Sequence, residues 1–453
     1  MSRANGESDD LKGSGYAQEL DRTLGFRHLI VYGMIFMAPI APMSVYGFVA
    51  RESYGMVPLV YAVGIIAMLF TALSYKQLSG EFPIAGSVYS YVQRGMNPYL
   101  GFIAGWMILA DYLLIPALIY AFAASWLHGL LPAVPVWLWV FAFVIVNTAV
   151  NVFGIKMQYR TNLMILLIEL FALAIFIVLA IDFVFVKGLG SGGFSIGPFF
   201  QSRHFDWSFV ATATSIAALS FLGFDAISTL AEETRNPRKT IGNATVLSLL
   251  LLGGIFMLQT WLAALVHPDY ASLDPKLGFF QIARQVGGQA LYMLLILVNV
   301  ISAGIANAMA AQSAIARVLY SMGRDRVLPF SHFFARVHPR FKTPVNTIVL
   351  VAVLSVVLAL SVPEVVILKL VNFGALTAFM LLNLTVVNVF FLRKRQYGHF
   401  MRYFAYPMLG FLIVAFVWSG FDHITFMLGG IWLVAGLMLG ASNMKTRKSF
   451  DIK

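Results

Sequence analysis

The 453 residues contain no cysteine. That excludes disulfides, thiolate metal sites and a thiol nucleophile. Charge is also scarce: Asp, Glu, Lys and Arg make up 11% of the chain, where a soluble domain carries about 25%. No polar stretch is long enough for a separate soluble domain. The eight histidines form no H-E-x-x-H, and no GxxxxGK[ST] occurs, so metal sites and ATP-driven pumping lack their residues. His128, His267, His332, His338, His399 and His423 read as surface residues. The glycines Gly188, Gly190 and Gly193 imitate a nucleotide motif, yet they neither follow a strand nor open a βαβ unit and read as a flexible loop.

What the chain has is apolar length: 60% of its residues are hydrophobic. A bilayer span needs about 20 apolar residues. The pattern predicts twelve spans, at 26–50, 57–79, 98–127, 134–153, 161–182, 207–231, 244–266, 289–320, 345–361, 364–392, 403–420 and 423–441. Backbone groups in lipid must bond within their own segment, so the expected fold is an all-α integral membrane bundle. The short alternating segments of a β-barrel are absent. The polar start of the chain predicts that its first apolar stretch is a span, not a cleaved leader.

The formal charge of +11 sits at span ends. With the N-terminus in the cytoplasm, inner segments hold Arg22, Arg27, Lys76, Arg94, Lys156, Arg160, Arg235, Arg238, Lys239, Arg324, Arg326, Arg336, Arg340, Lys342, Arg393, Lys394, Arg395, Arg402 and a cluster from Lys445. Outer segments hold only Arg51, Lys187, Arg203, Lys276 and Arg284. The asymmetry predicts both termini in the cytoplasm. Nucleic acid is not an expected partner, because its footprint needs one basic face. The predicted organisation is an inner tail at 1–25, a membrane domain at 26–441 and an inner tail at 442–453.

Two spans carry breaks. The first has Pro39 and Pro42 near its centre, and each proline removes an amide donor and clashes with the preceding turn. The sixth has Gly223 beside Asp225 in a stretch rich in Ser and Thr. Interrupted helices five spans apart point to an inverted-repeat transporter with its site between them. Ordinary kinks are the alternative, because Pro and Gly are common in membrane helices.

EFPIAGSVYSYV at 81–92, NVFGIKMQYRTN at 151–162, FLGFDAISTLAEETRNPRKTIGNA at 221–244 and ARVLYSMGRDRVLPFSHFFARVHPRFKTP at 316–344 carry a likeness. The chain resembles the amino acid–polyamine–organocation transporters. Within them it is most similar to bacterial putrescine importers, on its proline-and-methionine first span, LADYLL at 109–114 and FLGFDA followed by EET. The resemblance implies a leucine-transporter-like fold of five-plus-five inverted repeats, about 26–182 and 207–392, with appended helices at about 403–441. It further implies alternating access, proton coupling or exchange, no bound cofactor and residence in a bacterial inner membrane. Amino acid members usually carry a Gly-Ser-Gly run in the first span, whose amides hold the substrate carboxylate. Ala38-Pro39-Ile40-Ala41-Pro42-Met43 stands there instead, which favours a substrate without a carboxylate. Many proton-coupled members have a lysine where Glu169 stands here.

Charge at membrane depth costs on the order of 3 kcal/mol or more, so Asp111, Glu169 and Asp225 are functional candidates. The expected substrate contacts are Ala38, Pro39, Ile40, Met43, Ser44, Asp111, Tyr112, Ser220, Phe221, Gly223 and Asp225. The expected coupling groups are Asp225 and Glu169. A helix cap at Asp225, an interhelical bond from Asp111 to a Ser or Asn, and a pairing of Glu169 with Asn299, Ser302 or Asn307 are the structural alternatives. Met43 and Phe221 are candidate gates. Glu364 and Lys369 read as structural, and EETRNPRKT with RDRVLP resembles the intracellular ion-pair latches of such transporters, with solvated loop charges as the alternative. The expectation is a proton-driven importer of putrescine or a related amine. The rival is an amino acid permease or exchanger, and an integral membrane enzyme and a channel are remoter classes.

Overall fold

Every N–H and C=O of an apolar stretch needs a partner inside the protein. The apolar stretches of this chain meet that demand as helices. In the computed structural model residues 22–450 are described, apart from Gly86, Gly154, Arg203, His204, Val327 and Pro329, with the backbone alone at 129–130, 155–162, 365, 369 and 442–450. Most of the predicted tails, Arg203, and the side chains of Lys156, Arg160, Lys369 and the cluster from Lys445 fall outside that description. Among the described residues the one isolated extended pairing joins Leu24 to Thr234.

Helices α1 (Phe26–Met37) and α2 (Ala41–Glu52) form the first span, bent by 42°. There follow α3 (Val57–Glu81), α4 (Ser87–Gly95), α5 (Pro98–Leu130), α6 (Val136–Phe153), α7 (Ile155–Ile181) and α8 (Trp207–Ala217). Beyond α8 the sixth span continues as 3-10 turns to Glu233. The remainder is α9 (Pro237–Val266), α10 (Gly278–Ile301), α11 (Ala308–Arg324), α12 (Ser331–Phe334), α13 (Val345–Ser361), α14 (Glu364–Val386), α15 (Tyr406–Ser419) and α16 (His423–Phe450). Ten helices among the described residues are long and apolar enough to cross a bilayer, and the bent α1–α2 pair makes eleven. The predicted stretch at 345–361 is a shorter apolar helix of 17 residues.

Some boundaries differ from expectation. The predicted outer loop at 267–288 ends early, because α10 starts at Gly278 and only kinks at Gly287 and Gly288. Helix α9 begins at Pro237, whose preset φ and missing N–H suit a first helical turn. The short α4 was not expected: at nine residues it is too brief to register as a span. The glycine loop is not free. Ser191 donates its N–H to the Leu265 carbonyl at 2.8 Å, and a side chain at Gly190 (φ +64°) would collide with that same carbonyl.

Helix α7 shows how one segment serves lipid and core. Met164, Phe171 and Val178 recur every seven residues on its exposed face, while Ala172, Phe176 and Ala180 are buried. Between α10 and α11 the chain winds more loosely over Ser302–Asn307, and side-chain amides take up freed carbonyls there. Asn147 donates to Gly304 O at 2.8 Å and Asn151 to Met309 O at 3.0 Å. Helix α16 is docked on α5 by Trp106 and Trp432. Their rings stack at 4.5 Å, and each indole donates to the other's carbonyl, at 2.8 and 3.0 Å.

Candidate substrate site

The first break follows from its prolines. Ala38 takes a left-handed conformation at φ +53°, and α2 restarts at Ala41. Ala41 N–H bonds Ala38 O at 2.9 Å and Met43 N–H bonds Ile40 O at 3.0 Å, so two amides are used inside the break. Two freed carbonyls are met from elsewhere. Gln259 of α9 donates to Pro39 O at 2.8 Å, and Asn307 donates to Phe36 O in a very short contact. Sequence reasoning missed Gln259 in this role. Its only signal is one amide side chain in an otherwise apolar span.

The second break is stronger than the sequence suggested. Leu222 is extended (ψ 138°) and Gly223 is left-handed at φ +110°. Any Cβ at Gly223 would enter the Phe36 ring, so the glycine meets a conformational and a steric demand together. From Phe224 to Glu233 the chain stays in 3-10 form, much longer than the usual three or four residues. Ser228 and Thr229 tighten it by donating to the carbonyls of Asp225 and Ala226 at 2.6 and 2.7 Å.

Asp225 begins this second segment and is fully buried. Its Oδ2 accepts the Tyr112 hydroxyl in a very short contact, and more loosely Ser87 Oγ at 3.4 Å and the Tyr75 hydroxyl at 3.5 Å. Among the described residues its Oδ1 has no hydrogen-bond partner. Asp111, next to Tyr112 on α5, is also fully buried with both oxygens unpartnered. The expected bond from Asp111 to a Ser or Asn is therefore not made. Glu169 on α7 is buried and likewise open at both oxygens, with Ser302 beside it. Asn299 and Asn307, the other partners expected for Glu169, serve the first span instead. Asn299 contacts Ser44 and Met43, both at 3.5 Å, and Asn307 holds Phe36 O. Open carboxyl oxygens in a protein interior are costly. Tyr75 and Ser87 were missed at the sequence level, since nothing local marks them as neighbours of Asp225.

Beside this cluster lies a cleft of about 710 Å³, its open mouth included. The two breaks, the half of α5 from Ile115 to Trp126, and the end of α10 with the turn after it line it. Of the expected contacts Ala38, Ile40, Ser44 and Ser220 face this space. Asp111, Tyr112, Gly223 and Asp225 do not line it, and neither do Pro39, Met43, Phe221 or Glu169. Phe221 is instead packed against Tyr61 and Phe256 in the core, and Met43 is buried against Asn299. One lining aromatic, Phe36, which sequence reasoning did not single out, packs against Tyr112. Its ring centroid is 6.0 Å from that of Tyr112.

The far end of the sixth span is pinned by ion pairs. Arg324 grips Glu232 through two bonds of 2.9 Å, and Arg317 pairs with Glu233 at 2.6 Å, with both acids buried. Glu232 also accepts from Ala85 N–H at 3.2 Å, and Tyr89 donates to Asp325 at 2.7 Å. Leu24, just before α1, bonds the backbone of Glu233 and Arg235, both at 3.0 Å. The EET and RDR segments are thus joined. They close the end of the bundle away from the cleft-lining Val45 and Trp126.

Comparison with known proteins agrees with this geometry. A family model described as amino acid permease matches residues 29–436. The chain is 35% identical to the low-affinity putrescine importer PlaP of Escherichia coli, over 93% of each chain. It is 27% identical to the branched-chain amino acid permease BcaP of Bacillus subtilis, over 84% of this chain and 83% of that one. It is 25% identical to the chloroplastic cationic amino acid transporter 6 of Arabidopsis thaliana, over 80% of this chain and 64% of that one. With its two broken spans, its cleft and these relatives, the chain belongs to the amino acid permease family of the amino acid–polyamine–organocation superfamily and is a multi-pass membrane transporter.

Proposed function

We propose that the protein imports a small organic cation without a carboxylate, putrescine or a related amine, by alternating access coupled to protons. The carrying observation is the buried pair Asp225 and Asp111, with three carboxyl oxygens that have no hydrogen-bond partner and no cationic side chain paired to them among the described residues. An ammonium group is the ligand those oxygens lack, and the rings of Tyr112 and Tyr75 offer it π faces. The first break supports the same reading. Among residues 39–43 the prolines have no N–H, and Ala41 and Met43 use theirs within the break, which leaves Ile40. A substrate carboxylate would find a poor cradle there.

In this reading the repeats run over about 26–182 and 207–392, Val345–Ser361 is the ninth of twelve spans, and 403–441 is appended. The protein resides in a bacterial inner membrane with both termini in the cytoplasm, as the basic residues suggest. The ion-paired end is then the inner gate, and the cleft faces outward. Ala38, Ile40, Ser44 and Ser220 meet the substrate on its way in, around Pro39 and Met43. Asp111, Tyr112 and Asp225 hold it beside Gly223, and Asp225 and Glu169 carry the proton. Phe221 supports the site from the core. A second reading, an amino acid permease or exchanger, is favoured by the names of the more distant relatives.

Uptake of radiolabelled putrescine into liposomes under an imposed proton gradient tests the proposal. Unlabelled putrescine should compete strongly, and arginine and neutral amino acids weakly. Competition by α-amino acids alone overturns the amine reading. Accumulation that survives collapse of the gradient removes the proton coupling.

A further inference from the structure

Phe36 occupies an unusual position. It is the penultimate residue of α1, directly before the first break, and is only 1% exposed. One side of it lines the cleft, together with Ser220 and Leu222 of the second break. Its other side meets Tyr112 at a centroid separation of 6.0 Å and sits where a side chain at Gly223 would be. Asp225 and Tyr112 are absent from the cleft wall. The Phe36 ring therefore stands between the two breaks, in a wall it shares with Ala38, Ile115 and Leu222, with the cleft on one side and Tyr112, which bonds Asp225, on the other.

We propose that the Phe36 ring is the shutter between the cleft and the Asp225–Tyr112 pair, so that a cation reaches these carboxylates only when that ring moves. The surroundings suit such a part. Phe36 belongs to the last turn of a helix that stops one residue later, so no following turn restrains it on that side. Its carbonyl is held by Asn307, which fixes the backbone, while the ring packs between Tyr32 and Tyr112. Only the identity of the cation rests on the function proposed above; the barrier itself does not.

The chain's lack of cysteine makes a direct test possible. Two single-cysteine reporters are made, Ser87→Cys beside Asp225 and Ser44→Cys in the cleft. Each is combined with Phe36, Phe36→Ala and Phe36→Leu, purified in lipid nanodiscs, and treated with a cationic methanethiosulfonate. With Phe36 present, Ser44→Cys should react readily and Ser87→Cys slowly. Phe36→Ala should speed Ser87→Cys at least about tenfold, as the open population rises, and leave Ser44→Cys unchanged. Phe36→Leu serves if the alanine variant does not fold. Equal labelling of Ser87→Cys with and without the ring, in folded protein, overturns the shutter. No transported substrate enters this assay, so its failure is distinct from a failure of the amine reading.

Discussion

Tyr112 donates its hydroxyl to Asp225, a residue 113 positions further along the chain. The bond ties the middle of α5 to the first turn after the second break, and it leaves the other Asp225 oxygen open. A carboxyl held on one side and free on the other is positioned without being satisfied, as a reversible cation site requires.

Asp225→Asn keeps the shape and an acceptor for Tyr112 but removes the charge. Loss of one partner of a buried charge pair costs about 2–5 kcal/mol, so gradient-driven amine uptake should vanish while the protein still elutes as a folded species. Near-normal accumulation in that variant would take Asp225 out of the transport role.

Tyr112→Phe removes the hydroxyl that Asp225 accepts and keeps the ring. A hydrogen bond to a charged group is worth about 1.5–3 kcal/mol, so the substrate-free protein should lose up to that amount of stability, read from its melting curve. Tyr75→Phe, which loses only a 3.5 Å contact, should have a much smaller effect. Reversal of that order would show that the Tyr112 contact is not the principal one.

Glu169→Gln should separate two activities. Exchange of labelled for unlabelled amine, which needs no net proton movement, should persist. Accumulation against a gradient should fall at least about tenfold, as expected when a buried proton-carrying acid is neutralised. Parallel loss of both activities with a lowered melting temperature would assign Glu169 to the fold alone.

Gly223→Ala should destabilise the protein by about 1–3 kcal/mol for its left-handed backbone, plus the collision with Phe36. Phe36→Ala should relieve the collision but not the backbone strain. A double-mutant cycle on melting temperature reads the difference, and full additivity would contradict contact between the two positions.

Arg324→Gln removes the two bonds by which Arg324 grips the buried Glu232, where breaking a buried ion pair costs about 3–5 kcal/mol. Hydrogen exchange should rise in Ser87–Gly95 and in the segment ending at Glu233, while α16 stays protected. Unchanged exchange there would mean that the pair does not hold that end shut.

Much of the fold is legible from local properties. Apolar length marks the helices, Pro39 and Pro42 mark the first break, and the scarcity of charge singles out Asp111, Glu169 and Asp225. The strength of the second break was not legible, because the lack of room for a side chain at Gly223 comes from Phe36, far away in sequence. The partners of the freed carbonyls were equally hidden: Gln259 looks like any amide in an apolar run. The surroundings of Phe221, a candidate gate, were hidden for the same reason. Its sequence places it at the break, but packing turns its ring toward Tyr61 and Phe256.

The sequence by itself determined that this is a membrane helix bundle with two interrupted spans and the acids Asp111, Glu169 and Asp225 at membrane depth. Those features follow from hydration cost and backbone chemistry, which act residue by residue. Only the tertiary structure decided that Asp225 meets Tyr112, that Glu169 stands apart beside Ser302, and that Phe36 lies between the cleft and the carboxylates. Such choices depend on how helices more than a hundred residues apart pack, and no local periodicity records that geometry.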